Sequence, residues 1–92
     1  MTMQSDKQSV IERIKKIVAT QLDVDIPIDQ IGNEDGFLSA IGVDSIGFIE
    51  LRYQCEAEFD IKVKDEDFTP KNFLNCETLS AFILGKKETS KI

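Results

Sequence analysis

Three stretches of this chain place apolar residues three and four positions apart, and none sustains the one-in-two alternation of a half-buried strand. Val10, Ile11, Ile14, Ile17, Val18 and Leu22 trace one face of a first helix, which Ser5 or Asp6 can cap and which fades near residues 20–22. A second helix is expected over residues 45–59. Cys76, Leu79, Phe82 and Ile83 share one face of a last helix that Asn75 caps and Gly85 ends. Between these, Ile61-Lys62-Val63 is too short to build a sheet. Asp65-Glu66-Asp67-Phe68 reads as a single helical turn, limited by Pro70 because the residue before a proline avoids the helical region. The expected fold is therefore all-α: a small four-helix bundle of three main helices and one short one, with a long loop between helices 1 and 2.

That loop covers residues 23–44 and is punctuated by Pro27, Gly32, Gly36 and Gly42. Its apolar members Ile26, Ile28, Ile31, Phe37, Leu38 and Ile41 are too many for a free linker. It should be pinned over the core, with a helical turn near residues 35–40. The 92 residues suit one domain, with a folded core over about residues 6–85 and a disordered tail over residues 86–92.

Charge narrows the partners. Seventeen acidic side chains stand against 11 basic ones, a net charge of −6. Nucleic acid and anionic membrane surfaces repel such a chain, whereas a basic protein patch attracts it. No apolar run approaches a membrane span, and the polar N-terminus does not resemble a signal peptide, so a cytoplasmic monomer is expected. Cys55 and Cys76 would then be reduced, core-filling thiols. Their spacing fits no zinc pattern, and the chain contains no histidine. Asp23, Asp25 and Glu34 fall at the first, third and twelfth places of a calcium loop, but Ile28 stands where that loop demands glycine. No metal is expected.

The second helix carries two apolar stripes. At about 100° per residue, Phe48, Leu51, Cys55 and Phe59 share the face turned to the core. Ile46, Ile49, Tyr53 and Ala57 fall almost opposite, flanked by Glu50, Gln54, Glu56 and Glu58. A helix docked by one face has no need of the second stripe. Either the long loop covers it, or it is a scatter of surface apolar residues without a role, or it is a docking surface with an acidic rim.

The helix opens with Gly42-Val43-Asp44-Ser45-Ile46-Gly47. Asp44 or Ser45 can serve as its cap. If Asp44 does, the Ser45 hydroxyl is free at a helix end with unpaired N–H groups and partial positive charge, a favourable place for a phosphate. Gly47 is costly inside a helix and suits close approach by another molecule. Ser45 as a hydrolytic nucleophile lacks its usual partner, since no histidine is present to act as base. No enzymatic activity is expected.

Gly42-Val43-Asp44-Ser45-Ile46, followed by Ile49-Glu50-Leu51, resembles the attachment motif of acyl carrier proteins, in which the serine carries 4′-phosphopantetheine. Phe37 matches that family's loop phenylalanine, and Glu56-Ala57-Glu58-Phe59 matches its acidic helix ending. The likeness covers about residues 10–84. It implies that Ser45 is the attachment site, that Asp44 is the acidic residue before it, and that Ile46, Ile49, Glu50 and Tyr53 meet partner enzymes. It implies a phosphopantetheinyl transferase that loads Ser45 from coenzyme A. It also implies an acyl or aminoacyl ligase, acyltransferase or synthase with basic docking patches, in fatty-acid, polyketide or related biosynthesis. The cargo would be a thioester, its tail resting among Phe37, Leu51, Cys55, Phe59, Phe68, Leu79 and Phe82. The bulk of these side chains points to a small cavity and to short or polar cargo. Gly47, Ala40 and Arg52 depart from the fatty-acid pattern by lowering the helix's negative charge, and the run Asp67 to Phe73 is more like stand-alone carriers of specialised pathways. The alternative is a helical protein–protein interaction module that is never modified.

Overall fold

The computed structural model describes residues 3–22 and 24–90, with side chains over residues 7–22 and 24–87. Three main helices, α1 (Met3–Gln21), α2 (Ser45–Phe59) and α3 (Cys76–Ser90), form the body. The short fourth helix is a single 3-10 turn, Asp65–Asp67. The long connection holds two further turns, a 3-10 turn at Ile28–Gln30 and a π turn at Phe37–Ile41. No strand occurs among the described residues, and none of their helices is long and apolar enough to cross a membrane. Asp23, the expected start of the loop, lies outside the described residues, as do residues 91–92.

The apolar face of α1 is the spine of the core. Its five periodic residues from Val10 to Val18 are buried, as is Leu22 just past its end, and α1 packs against both α2 and α3. Leu51, Cys55 and Phe59 from α2 and Cys76, Leu79 and Ile83 from α3 close the core from the other side. The connection is pinned as its apolar content requires. Ile31, Phe37 and Val43 are buried, and Phe37 N–H donates to the Leu74 carbonyl at 2.8 Å. The Asn33 carbonyl accepts from Glu77 N–H at 3.0 Å, so the loop satisfies one of the unpaired donors at the start of α3. Asn75 satisfies another, its Oδ1 accepting from Thr78 N–H at 2.8 Å while Thr78 Oγ1 accepts from Asn75 N–H at 3.2 Å.

Two helix ends differ from expectation. The helix α1 begins at Met3, so Ser5 and Asp6 lie inside it rather than ahead of it. Gly85 does not stop α3, which runs on to Ser90, so residues 86–90 of the expected tail are helical. A glycine costs a helix only about 1 kcal/mol relative to alanine, which tertiary ties can outweigh. Those ties are present: Lys86 Nζ sits 2.8 Å from Asp67 Oδ2, and Lys87 Nζ donates to the Phe59 carbonyl at 3.0 Å. The latter also caps the C-terminus of α2, where Asp60 turns the chain with a φ of 54°.

Candidate functional site

The N-terminus of α2 is built by four consecutive residues with separate tasks. Gly42 adopts φ 89°, a left-handed conformation that glycine enters without steric cost, and it ends the π turn. Val43 then plunges into the core, 1% exposed, with its N–H donating to the Phe37 carbonyl at 2.8 Å. Asp44 is extended, and its Oδ1 accepts from Gly47 N–H at 2.7 Å. Of the two candidate caps, Asp44 is therefore the one used. Ser45 becomes the first helical residue, exposed, and its hydroxyl makes no hydrogen bond among the described residues.

Gly47 has a steric reason within the chain itself. A Cβ there would lie 2.8 Å from Val43 Cγ1 and 3.3 Å from Asp44 Oδ1. The glycine makes room for the chain's own anchor and cap. Of the two glycines beside Ser45, Gly42 is the open one, with nothing within 4 Å of an added Cβ.

The second stripe of α2 is uncovered. Ile46 is 77% exposed, Ile49 46% and Tyr53 59%, and Ala57 is also exposed. The loop does not lie over them. Glu50 is half-buried beside this row and accepts from Gln54 Nε2 at 2.7 Å.

The aromatic and aliphatic candidates for a cargo seat fall in two places. Phe37, Leu51, Cys55, Phe59 and Leu79 are inside the packed core, and Phe82 is half-buried with its ring 6.1 Å from that of Phe73. Phe68 instead lines an apolar hollow of about 360 Å³. The connection contributes Gly36, Leu38 and Ser39 to this hollow, and α2 contributes Phe48, one turn after Ser45. The irregular segment before α3 contributes Thr69, Pro70, Phe73 and Leu74 along with Phe68. Only Ser39 and Thr69 bring hydroxyls, so the lining does not favour polar cargo. Sequence periodicity finds only Phe48 of this wall, because most of the rest is loop. The available signals were two leucines, Leu38 and Leu74, in segments without helical period, and Phe48 at the edge of its stripe. Both leucines prove exposed.

The two thiols lie away from the hollow. Burial, with Glu58, Cys76 and Glu56 adding to it, pushes the Cys55 thiol up to about 12. Burial likewise raises Cys76 to about 11. Neither is a thiolate at neutral pH, which is the form that reacts or binds metal.

An exposed hydroxyl on the first residue of a 15-residue helix can accept a phosphate ester. The ester oxygens would meet the positive helix end and its unpaired N–H groups, and the open space at Gly42 leaves a path outward. The Asp44 carboxylate is exposed, so its repulsion for such a group is screened by solvent.

The chain is similar to known proteins in sequence and in fold. A family model described as "Phosphopantetheine attachment site" matches residues 12–83. A solved structure of acyl carrier protein from Enterococcus faecalis superposes with a TM-score of 0.68, covering 87% of this chain and 96% of that one at 22% identity. At that identity the likeness concerns the fold.

Proposed function

Because this chain belongs to the phosphopantetheine attachment-site family, we propose that it is a carrier holding an acyl group as a thioester on a 4′-phosphopantetheine arm at Ser45. The family carries that group covalently, and the group supplies a flexible arm ending in a thiol that forms the thioester. The single observation supporting Ser45 is its placement: Asp44 takes over the capping, so Ser45 presents an unengaged hydroxyl at the positive end of α2. On loading by a transferase, the Ser45 hydroxyl would lose its proton and attack the pantetheine-side phosphorus of the diphosphate in coenzyme A; the P–O–P bond breaks, Ser45 holds phosphopantetheine as a phosphodiester, and adenosine 3′,5′-bisphosphate leaves.

The chain performs no chemistry of its own in this reading. Ile46, Ile49 and Tyr53 give partner enzymes an apolar row to grip, and Glu50 with the exposed acidic residues adds attraction for basic patches. Tethering raises the effective concentration of the cargo at each partner without requiring a tight complex. The apolar hollow beside Phe48 is the seat for the cargo's tail. It is more than twice the roughly 150 Å³ of a cavity that holds benzene, but it is open to one side, so a short apolar acyl chain suits it. Partners are a phosphopantetheinyl transferase, a ligase or acyltransferase that charges the arm, and a synthase that uses the product.

The test is charging. The loaded chain, given an acyl donor and a charging enzyme, should gain one acyl mass that neutral hydroxylamine removes, as it does a thioester. A loaded chain that no acyl-transferring enzyme charges would count for the interaction-module reading, which the exposed stripe on α2 also accommodates.

A further inference from the structure

Arg52 is the one basic residue in the middle of α2, and its side chain is only 20% exposed. It does not face solvent as a docking residue would. One guanidinium nitrogen, Nη2, donates to the Val63 carbonyl at 2.6 Å and to Asp65 Oδ1 at 3.0 Å. The guanidinium carbon lies 5.1 Å from the centroid of the Phe68 ring. Glu56, one helical turn further on, accepts from Val63 N–H at 2.8 Å. Thus α2 grips both polar groups of residue 63 with a charge of suitable sign, and Arg52 reaches across the whole Asp65–Asp67 turn to Phe68.

Phe68 lines the hollow and Arg52 does not. The ring is held from two directions, by the guanidinium and by an edge-to-face contact with Phe73 at 5.0 Å and 90°. The backbone behind it is tied as well, with Asn72 Nδ2 donating to the Asp67 carbonyl at 2.9 Å. A cation over an aromatic face and a T-shaped aromatic pair both fix ring orientation, not only position. The buried Arg52 Nε has no hydrogen-bond partner, so the guanidinium is placed by its other contacts at some cost.

We infer that Arg52 is a positioning residue for cargo length: by holding Phe68 as a wall of the hollow, it sets how much of an acyl chain can be sheltered. The inference rests on the carrier reading above. It predicts that the limit on chain length belongs to an Arg52–Phe68 unit, and that loosening either member lets longer chains in.

The experiment loads the chain at Ser45 with straight saturated acyl groups of two to twelve carbons and follows thioester cleavage by hydroxylamine. Each methylene that enters the hollow should slow cleavage by up to about fourfold, the equivalent of burying one CH₂. The wild-type rate should fall with length and then level off once the hollow is full. In Phe68→Ala and in Arg52→Leu the levelling point should move to longer chains. In Arg52→Lys, which keeps the charge over the ring but loses the broad guanidinium, it should move less. A lowered melting temperature in Arg52→Leu or Arg52→Lys with the levelling point unmoved would make Arg52 merely structural and overturn the inference. A second reading needs no loading: the NMR shifts of the Phe68 ring protons should move in Arg52→Lys and Arg52→Leu. If they stay as in wild type, Arg52 does not place the ring. A chain that gains no arm counts against the carrier reading, and the ring shifts still decide the role of Arg52.

Discussion

Replacing Gly47 with alanine sets two terms of opposite sign against each other. Helix propensity favours alanine by about 1 kcal/mol in a helix interior, and by less in a first turn. Against this, the new Cβ would stand 2.8 Å from Val43 Cγ1, where carbon atoms normally meet at about 3.5–4.0 Å. Val43 cannot step aside easily. It is β-branched, with few rotamers to choose from, and it is 1% exposed in the core. The same Cβ would press on the Asp44 oxygen that caps the helix. Overpacking of this kind costs about 1–3 kcal/mol, so Gly47→Ala should be destabilising by about 1–2 kcal/mol net. For a domain of this size that lowers the melting temperature by roughly 4–16 °C. Thermal unfolding followed by circular dichroism measures it. The decisive comparison repeats the substitution in Val43→Ala, which removes the obstructing methyl group. There Gly47→Ala should become neutral or stabilising. A melting temperature that rises in the wild-type background, or one that falls equally in both backgrounds, would refute the steric reasoning.

Three other perturbations probe separate parts of the account. Asp44→Ala removes the cap of α2 and should cost about 1 kcal/mol, with Asp44→Asn retaining most of it, both read from thermal melts. Both thiols should resist maleimide at pH 8 in the native protein and react fully in denaturant, since burial holds Cys55 near 12 and Cys76 near 11; rapid native labelling would mean that the core opens there. The hydrogen bond from Lys86 holds the Asp67 carboxyl below its ordinary value. A carboxyl depressed in the folded state contributes stability above its unfolded value and loses it as pH falls through the folded one. Melts from pH 7 to pH 2 should therefore show a larger acid loss in wild type than in Lys86→Met, and equal losses would remove the ion pair as a contributor.

The helical body was legible in the sequence because its signals are local and periodic. The apolar residues from Val10 to Leu22 could share one face only as a helix, and all six are buried, Leu22 just past the end of α1. Asp44 before the start and Phe59 at the end bracket α2 at the expected residues. The end of α3 was not legible: Gly85 is a sound stop signal, overridden by contacts of Lys86 and Lys87 with residues far away in the chain. The hollow escaped for the same reason. Its walls come from two irregular segments meeting across α2, and no spacing rule links Leu38 to Leu74. Gly47 shows a subtler limit. Its oddness was visible, but its cause is a contact with Val43, which only the fold brings under the first turn of the helix.

The carrier reading depends on one bond at one oxygen. Intact-mass measurement after incubation with coenzyme A and a phosphopantetheinyl transferase tests it, with proteolytic mapping to locate the change. The account predicts a single added phosphopantetheine on the fragment containing Ser45 and none on Ser45→Ala, which should fold like the wild type because Asp44 and not Ser45 caps the helix. No added mass on the folded wild type, or the same added mass on Ser45→Ala, would contradict it.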